Sequence, residues 1–231
     1  SMSWGDVIEM LEPLVLPERQ QRLKRVLDAR LMSVCVVMDA PHDPHNGAAV
    51  LRSCDAFGVQ TLHVVARNEP FTAARAVAKG TQKWVDTISH DSVAQAVAAL
   101  TSYELVGTHP EGELLPEELG NIPRLALVMG NEHDGICEAL QQACTRRVRI
   151  PMSGFVESLN VSVSAAILLQ HATGQRHGDA DEATRERLYA RWLMLSVSRP
   201  YDILAARGID VPNDAIFVAV ADGSNVRAGV T

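Results

Sequence analysis

The chain has 231 residues, 47% of them apolar, and a formal net charge of -7. That length supports one sizeable core rather than two generous domains, and the apolar share excludes wholesale disorder. No apolar run approaches the roughly 20 residues of a membrane span, and the start SMSWGDVIEM is acidic where a secretory signal needs a basic head. Ser1 ahead of Met2 reads as a remnant of tag cleavage and is set aside. Cys35, Cys54, Cys137 and Cys144 show no CxxC spacing, and two of them sit in apolar patterns. This reads as reduced core thiols of a cytoplasmic protein. Net acidity argues against a general nucleic-acid binder, but PERQQRLKRVLDAR, residues 17–30, sets Arg19, Arg22, Lys24, Arg25 and Arg30 against Glu18 and Asp28. A polyanion would be met there, locally.

That basic segment is also the first predicted element. Leu16, Leu23, Val26 and Leu27 recur at helical spacing, so residues 17–30 predict an amphipathic helix. SVCVVMDA, residues 33–40, predicts a buried strand, and PHDPHN a loop. GAAVLRSCDAF predicts a helix that Asn46 can cap and Gly58 can end. TLHVV is a second strand, and AVAKGTQKW leads to another near residues 84–88. Residues 91–100 predict a helix with Asp91 as N-cap; YELVGT and RLALVM predict two more buried strands. Next come the loop GNEHDGI, a helix over 137–144 and a strand at 148–150. FVESLNVSVSAAILLQ reads two ways. Residues 158–164 alternate polar and apolar like a half-buried strand, yet the run from Ala165 favours a helix. Beyond it, HGDADEAT is a polar linker, 182–195 an amphipathic helix, PYDILAARGI a short helix with a turn, and ADGSNVRAGVT a frayed end. Strands alternating with helices predict an α/β fold with a mostly parallel sheet covered on both faces. Such sheets gather ligands in the loops beyond the strand carboxyl ends.

Three of those loops could carry chemistry. In DAPHDPHNGAAVLRSCD, Arg52 points almost opposite to the apolar face of Val50, Leu51, Cys54 and Phe57. It could equally be a solvated partner of Asp55 at i+3, a pair worth only tenths of a kcal/mol. In RLALVMGNEHDGI, Gly130 and Gly135 bracket polar residues, and Glu132 is the carboxylate just behind the first glycine. The glycines would let a ligand approach the backbone, or the loop is an ordinary turn with Asp134 capping the next helix. In IPMSGFVESLNVSVSAA, Ser158 can cap a helix whose first turn would hold Asn160, where free amides face outward. No metal is expected, because His42 and His45 lie in a proline-containing loop with no ligand partner at familiar spacing. The hydrolase elbow, the dinucleotide fingerprint and the Walker loop are all missing.

Taken together and in order, HNGAAVLRSCDAFGV, LVMGNEHDGI and IPMSGFVESLNVSVSAAILL resemble the three motifs of the SPOUT superfamily, in its SpoU/TrmH branch of RNA 2'-O-methyltransferases. The resemblance covers about residues 17–200. It implies S-adenosylmethionine as methyl donor, a homodimer, and a sheet whose C-terminal part is tied in a deep trefoil knot. It also favours loop-then-helix for the ambiguous stretch. By motif position, Asn46, Arg52, Glu132, Ser158 and Asn160 match the family's active-site residues, and the donor site falls on Gly107, Thr108, Gly130, Ile150, Met152 and Leu159. Family accounts make Arg52 the base; since a guanidinium stays protonated, a clamp on an RNA phosphate or the developing oxyanion is the physical expectation. The flanks suggest three parts: a basic RNA-docking helical extension over 2–32, with Arg19, Arg22 and Arg25 on the RNA, the methyltransferase domain over 33–176, and a helical extension and tail over 177–231. That layout is similar to branch members that methylate guanosine 18 in the tRNA D-loop. Ribosomal RNA or a wobble nucleotide is the alternative substrate, and a non-catalytic knotted RNA-binding protein the alternative class.

Overall fold

In the computed structural model, the structure describes residues 3–66, 84–211 and 226–227. The strands are β1 (Leu31–Asp39), β2 (Val59–Val65), β3 (Asp86–His90), β4 (Glu104–Thr108), β5 (Leu125–Met129), β6 (Arg146–Val148) and β7 (Val226–Arg227). The described helices are α1 (Trp4–Leu11), α2 (Pro17–Asp28), α3 (Pro44–Ala56), α4 (Val93–Ala99), α5 (Glu138–Ala143), α6 (Val161–Thr173), α7 (Glu182–Ser196) and α8 (Pro200–Ala205). One sheet results, in the order β6-β4-β5-β1-β2-β3-β7, with every pairing parallel.

The central strands are buried on both faces, which is why they read as near-continuous apolar runs. Val34, Val36 and Met38 of β1 join Leu62 and Leu127 in a layer covered by α3 and α6 through Val50, Leu51, Ala165 and Leu168. Cys35 and Val37 face the other way, under α4 and α5 through Ala96 and Leu140. Helices α1, α2, α7 and α8 share a third apolar cluster, in which Val7, Leu11, Leu23 and Leu27 meet Leu188, Trp192, Leu193 and Leu204. The helices before β1 therefore pack with α7 and α8 rather than separately.

Two buried arginines tie this helical layer to the rest of the fold. Arg191 of α7 reaches Asp86 of β3 with Nη2 2.5 Å from Oδ1, and neither side chain exceeds 3% exposure. Arg30 pairs with Asp55 of α3 at 2.6 Å and lies over the Trp192 ring, 5.2 Å from its centroid. The polar stretch 177–184 is pinned, not a loose linker. A Cβ at Gly178 would lie 1.9 Å from the Asp28 carbonyl oxygen, while Asp179 accepts from Met32 N at 2.5 Å and donates its N–H to Arg30 O at 3.0 Å.

Several sequence expectations shift. Helix α3 begins earlier than expected: Asp43 caps it by accepting from His45 N, with Pro44 at its first position, so Asn46 sits in the first turn instead. Ser92, not Asp91, caps α4. The expected strands at 84–88 and 148–150 fall at Asp86–His90 and Arg146–Val148. The doubtful stretch is helical only from Val161, with Asn160 rather than Ser158 as its cap. Gly58, at φ +78°, ends α3 as expected. On α2, Leu23 and Leu27 are buried, but Leu16 is 73% and Val26 38% exposed. Within the end expected to fray, residues 226–227 pair with β3; the remainder of that end, and the bridging segment AVAKGTQK, lie outside the described residues.

Candidate active site

The carboxyl ends of β4, β5 and β6 open onto one cleft of about 480 Å³. Thr108, His109 and Pro110 follow β4, the turn from Gly130 to Gly135 follows β5, and Ile150, Met152 and residues 157–161 follow β6. Its apolar lining includes Met129, Val148, Ile150, Met152, Leu159 and Val161.

The turn after β5 is shaped by its glycines. A Cβ on Gly130 would lie 2.4 Å from the Gly135 carbonyl carbon, so no other residue fits without moving backbone. Gly135 holds φ at +68°, in the region that favours glycine. Asn131 closes the turn. Its N–H donates to Gly135 O at 3.1 Å, and its Oδ1 accepts from His133 N at 2.9 Å and Asp134 N at 2.7 Å. Asp134 is thus spent inside the turn and does not cap α5, whose N-cap is Cys137. Behind it, the buried carboxylate of Asp39, at the end of β1, accepts from Cys137 N at 2.6 Å and ties the turn's far end to the central strand.

With the turn closed, Glu132 meets the other two loops. Asn46 Nδ2 donates to Glu132 Oε1, and Asn46 Oδ1 accepts from Asn160 Nδ2 at 3.0 Å. Asn160 Oδ1 in turn accepts from Ser162 N at 2.8 Å and Ser162 Oγ at 2.6 Å, capping α6. Three residues about 115 positions apart at the extremes therefore form one hydrogen-bonded chain at the cleft. Asn46 is 8% exposed; a buried amide that uses both its donor and its acceptor side is fixed in orientation. Ser158 also lines the cleft.

Arg52 is not part of this chain. It stands six residues further along α3, about 9 Å along the axis and on another face. It is exposed and has no partner among the described residues, because Asp55 is taken by Arg30. Gly107 also stays out of the cleft: a Cβ there would meet Cys144 Sγ at 3.2 Å and Ile136 Cδ1 at 3.3 Å, so it serves the packing of β4 on α5. Thr108, Gly130, Ile150, Met152 and Leu159 all line the cleft. On α2, Arg22 and Arg25 are exposed, whereas Arg19 lies over the Trp84 ring at 5.3 Å; Arg30, just past the helix, is buried. Sequence reasoning missed Asp39 and Asn131. Asp39 carried a signal, a lone charge ending an apolar strand, but its partner lies 98 residues on.

Among the described residues no group of three or more His, Cys, Asp and Glu could hold a metal. Two buried imidazoles, His63 and His90, pair Nδ1 to Nε2 at 2.8 Å inside the sheet layer. Burial first, and the neighbouring imidazole second, push His63 down to about 3, so it is a neutral structural group.

The model of the SpoU rRNA Methylase family matches residues 33–170. A tRNA (guanosine(18)-2'-O)-methyltransferase from Escherichia coli (strain K12) is 32% identical over 163 residues, 69% of this chain and 71% of that protein. A protein of the same description from Aquifex aeolicus (strain VF5) is 32% identical over 171 residues, 72% of this chain and 81% of its own length. The A. aeolicus TrmH/SpoU tRNA modifying enzyme superposes with a TM-score of 0.66 at 26% identity, covering 79% of this chain and 98% of that one. AviRb from Streptomyces viridochromogenes, solved in complex with AdoMet, superposes with a TM-score of 0.56 at 26% identity, covering 64% of this chain and 58% of that one.

Proposed function

The chain belongs to the SpoU rRNA methylase family, and we propose that it transfers a methyl group from S-adenosylmethionine to the ribose 2'-hydroxyl of guanosine 18 in tRNA. The observation that carries this reading is the Asn46–Glu132–Asn160 chain, which fixes three loops distant in sequence around one cleft. The cleft suits a nucleoside-sized donor: Met129, Ile150 and Leu159 offer apolar walls, and the turns around Thr108 and Gly130 offer backbone groups. Thr108, Gly130, Ile150, Met152 and Leu159 would hold the donor, with Gly107 one residue behind. Bound there, S-adenosylmethionine supplies a methyl carbon activated by a positive sulfur.

The chain's own part is orientation and charge. Asn46, Glu132, Ser158 and Asn160 hold the ribose with its 2'-oxygen toward the cleft, chiefly a proximity effect. Arg52 clamps the adjacent RNA phosphate or the developing oxyanion, since a guanidinium donates but does not accept, and that phosphate assists departure of the hydroxyl proton to water as the methyl group moves to oxygen. Total tRNA methylated with labelled donor and then mapped should carry its label as 2'-O-methylguanosine at position 18. Label at a wobble nucleotide, or only in ribosomal RNA, would contradict the substrate.

Residues 2–32 act in this reading as an RNA-docking extension, 33–176 as the methyltransferase domain and 177–231 as the extension that supports the first. The shared cluster of α1, α2, α7 and α8 supports this division. Arg22→Glu with Arg25→Glu, and likewise Arg19→Glu, should weaken tRNA binding and flatten its salt dependence by about one unit of log–log slope per lost phosphate contact. Donor affinity should not move. Unchanged tRNA affinity in filter binding across a salt series would refute the docking role.

A homodimer and a cytoplasmic location belong to the same reading. Exposed Phe155 and Val163 favour a second copy as cover, and sedimentation as a monomer at micromolar concentration would refute it. The trefoil knot belongs here too: α6 packs against the 3₁₀ turn Pro116–Asn121 of the loop after β4. Pulling the chain from both ends should leave it short of full extension, and extension to the full contour length would refute the knot.

A further inference from the structure

We propose that a second chamber, beside the donor cleft, is a nucleobase subsite that reads the target base as guanine through Glu157 and Arg149; the inference rests on the methyltransferase reading above. The chamber holds about 500 Å³ and shares Pro110, Ile150, Met152 and Glu157 with the cleft, so the two spaces adjoin. Pro110 and Pro151 give it flat apolar walls, and Met152 and Val156, at 37% and 60% exposure, leave apolar surface that none of the described residues covers. Walls of this kind take the face of an extruded base.

Two side chains of opposite charge complete the lining. Arg149 is half-buried and anchored by one nitrogen, Nη1 donating to Gly112 O at 2.5 Å. Its other guanidinium donors have no partner among the described residues, and neither has the Glu157 carboxylate. A two-oxygen acceptor beside a forked donor selects among bases. Guanine alone presents adjacent N1–H and N2–H₂ donors on one edge, which a carboxylate takes together. Its O6 and N7 acceptors lie on the next edge, where arginine is the favoured partner. Adenine would set its N1 lone pair against the carboxylate, and a pyrimidine has no N7. Since base and ribose are one nucleotide, a base in this chamber leaves its sugar at the adjoining cleft.

The test uses the full-length protein and two tRNAs, one with guanosine and one with inosine at position 18. Inosine differs only in lacking the 2-amino group. Wild-type enzyme should methylate the guanosine tRNA about 10-fold or more faster in single turnover, within the range a bidentate base contact gives. Glu157→Gln should lower the guanosine rate by a similar factor and bring the guanosine-to-inosine ratio close to one. Calorimetry should show its S-adenosylmethionine Kd within twofold of wild type, which also establishes that it folds. A ratio in Glu157→Gln equal to that of wild type overturns the proposal. So does a raised donor Kd with the ratio unchanged, which would assign the carboxylate to the donor. A wild-type enzyme that binds donor but methylates neither tRNA overturns the guanosine 18 reading and this subsite with it.

Discussion

Arg52→Ala should lower single-turnover methylation about 100- to 1,000-fold at saturating donor, the range found when one preorganised donor to developing charge is removed. The side chain is exposed and has no partner among the described residues, so its removal takes nothing from the core and the loss reports chemistry. A guanidinium in that state keeps its donors for the substrate. On an RNA it would grip a phosphate through two parallel hydrogen bonds and steady the proton's departure from the neighbouring hydroxyl. Arg52→Lys keeps the charge but not the fork, so it should recover only part of the rate. Donor binding measured by calorimetry should be the same in both variants. Methylation by Arg52→Ala within a few-fold of wild type would remove Arg52 from the mechanism.

Arg191→Met should cost about 3–5 kcal/mol of stability, because it strands the buried Asp86 carboxylate. The pair lies between α7 and β3 with both side chains out of solvent, where an unmatched charge has no water to turn to. For a chain of this size that corresponds to a fall in Tm of about 6–20 °C. Adding Asp86→Leu should restore most of the loss, since a buried ion pair exchanged whole for apolar groups is often neutral or better. Thermal unfolding of the wild type, the single and the double variant measures both. A single variant within about 1 kcal/mol of wild type would show that α7 is not held to the sheet by this contact.

Much of the cleft's geometry was legible because the residues that shape it carry local signals. Gly130 and Gly135 announce a turn where backbone must come close, and the 2.4 Å approach is the reason. Asn46, Glu132 and Asn160 each follow or open an element that a parallel sheet brings to one end. Cap positions were harder. Asp43 and Asn46 are both short polar residues at a helix start, and the choice fell to Asp43 because Pro44 is suited to the first helical position. The alternation from Ser158 to Ser164 imitates a strand because serines tolerate the mouth of a helix, and Asn160 settles the start by capping it. What the sequence hid depends on partners far away. Arg30 reads as one more surface cation, yet Asp55 and Trp192 bury it. Gly107 reads as cleft backbone, yet Cys144 and Ile136 close over it. Residues 177–184 read as a linker, yet Gly178 is pressed against Asp28.

The central claim is that the turns after β4, β5 and β6 grip a sulfonium donor with its methyl group presented to the Asn46–Asn160 end of the cleft. A crystal grown with S-adenosylmethionine tests it directly. The account predicts the adenosine between the Gly130 turn and Ile150–Leu159, and the methyl carbon on the side of Asn46. Donor found in another part of the molecule, or no donor at millimolar concentration, would contradict it.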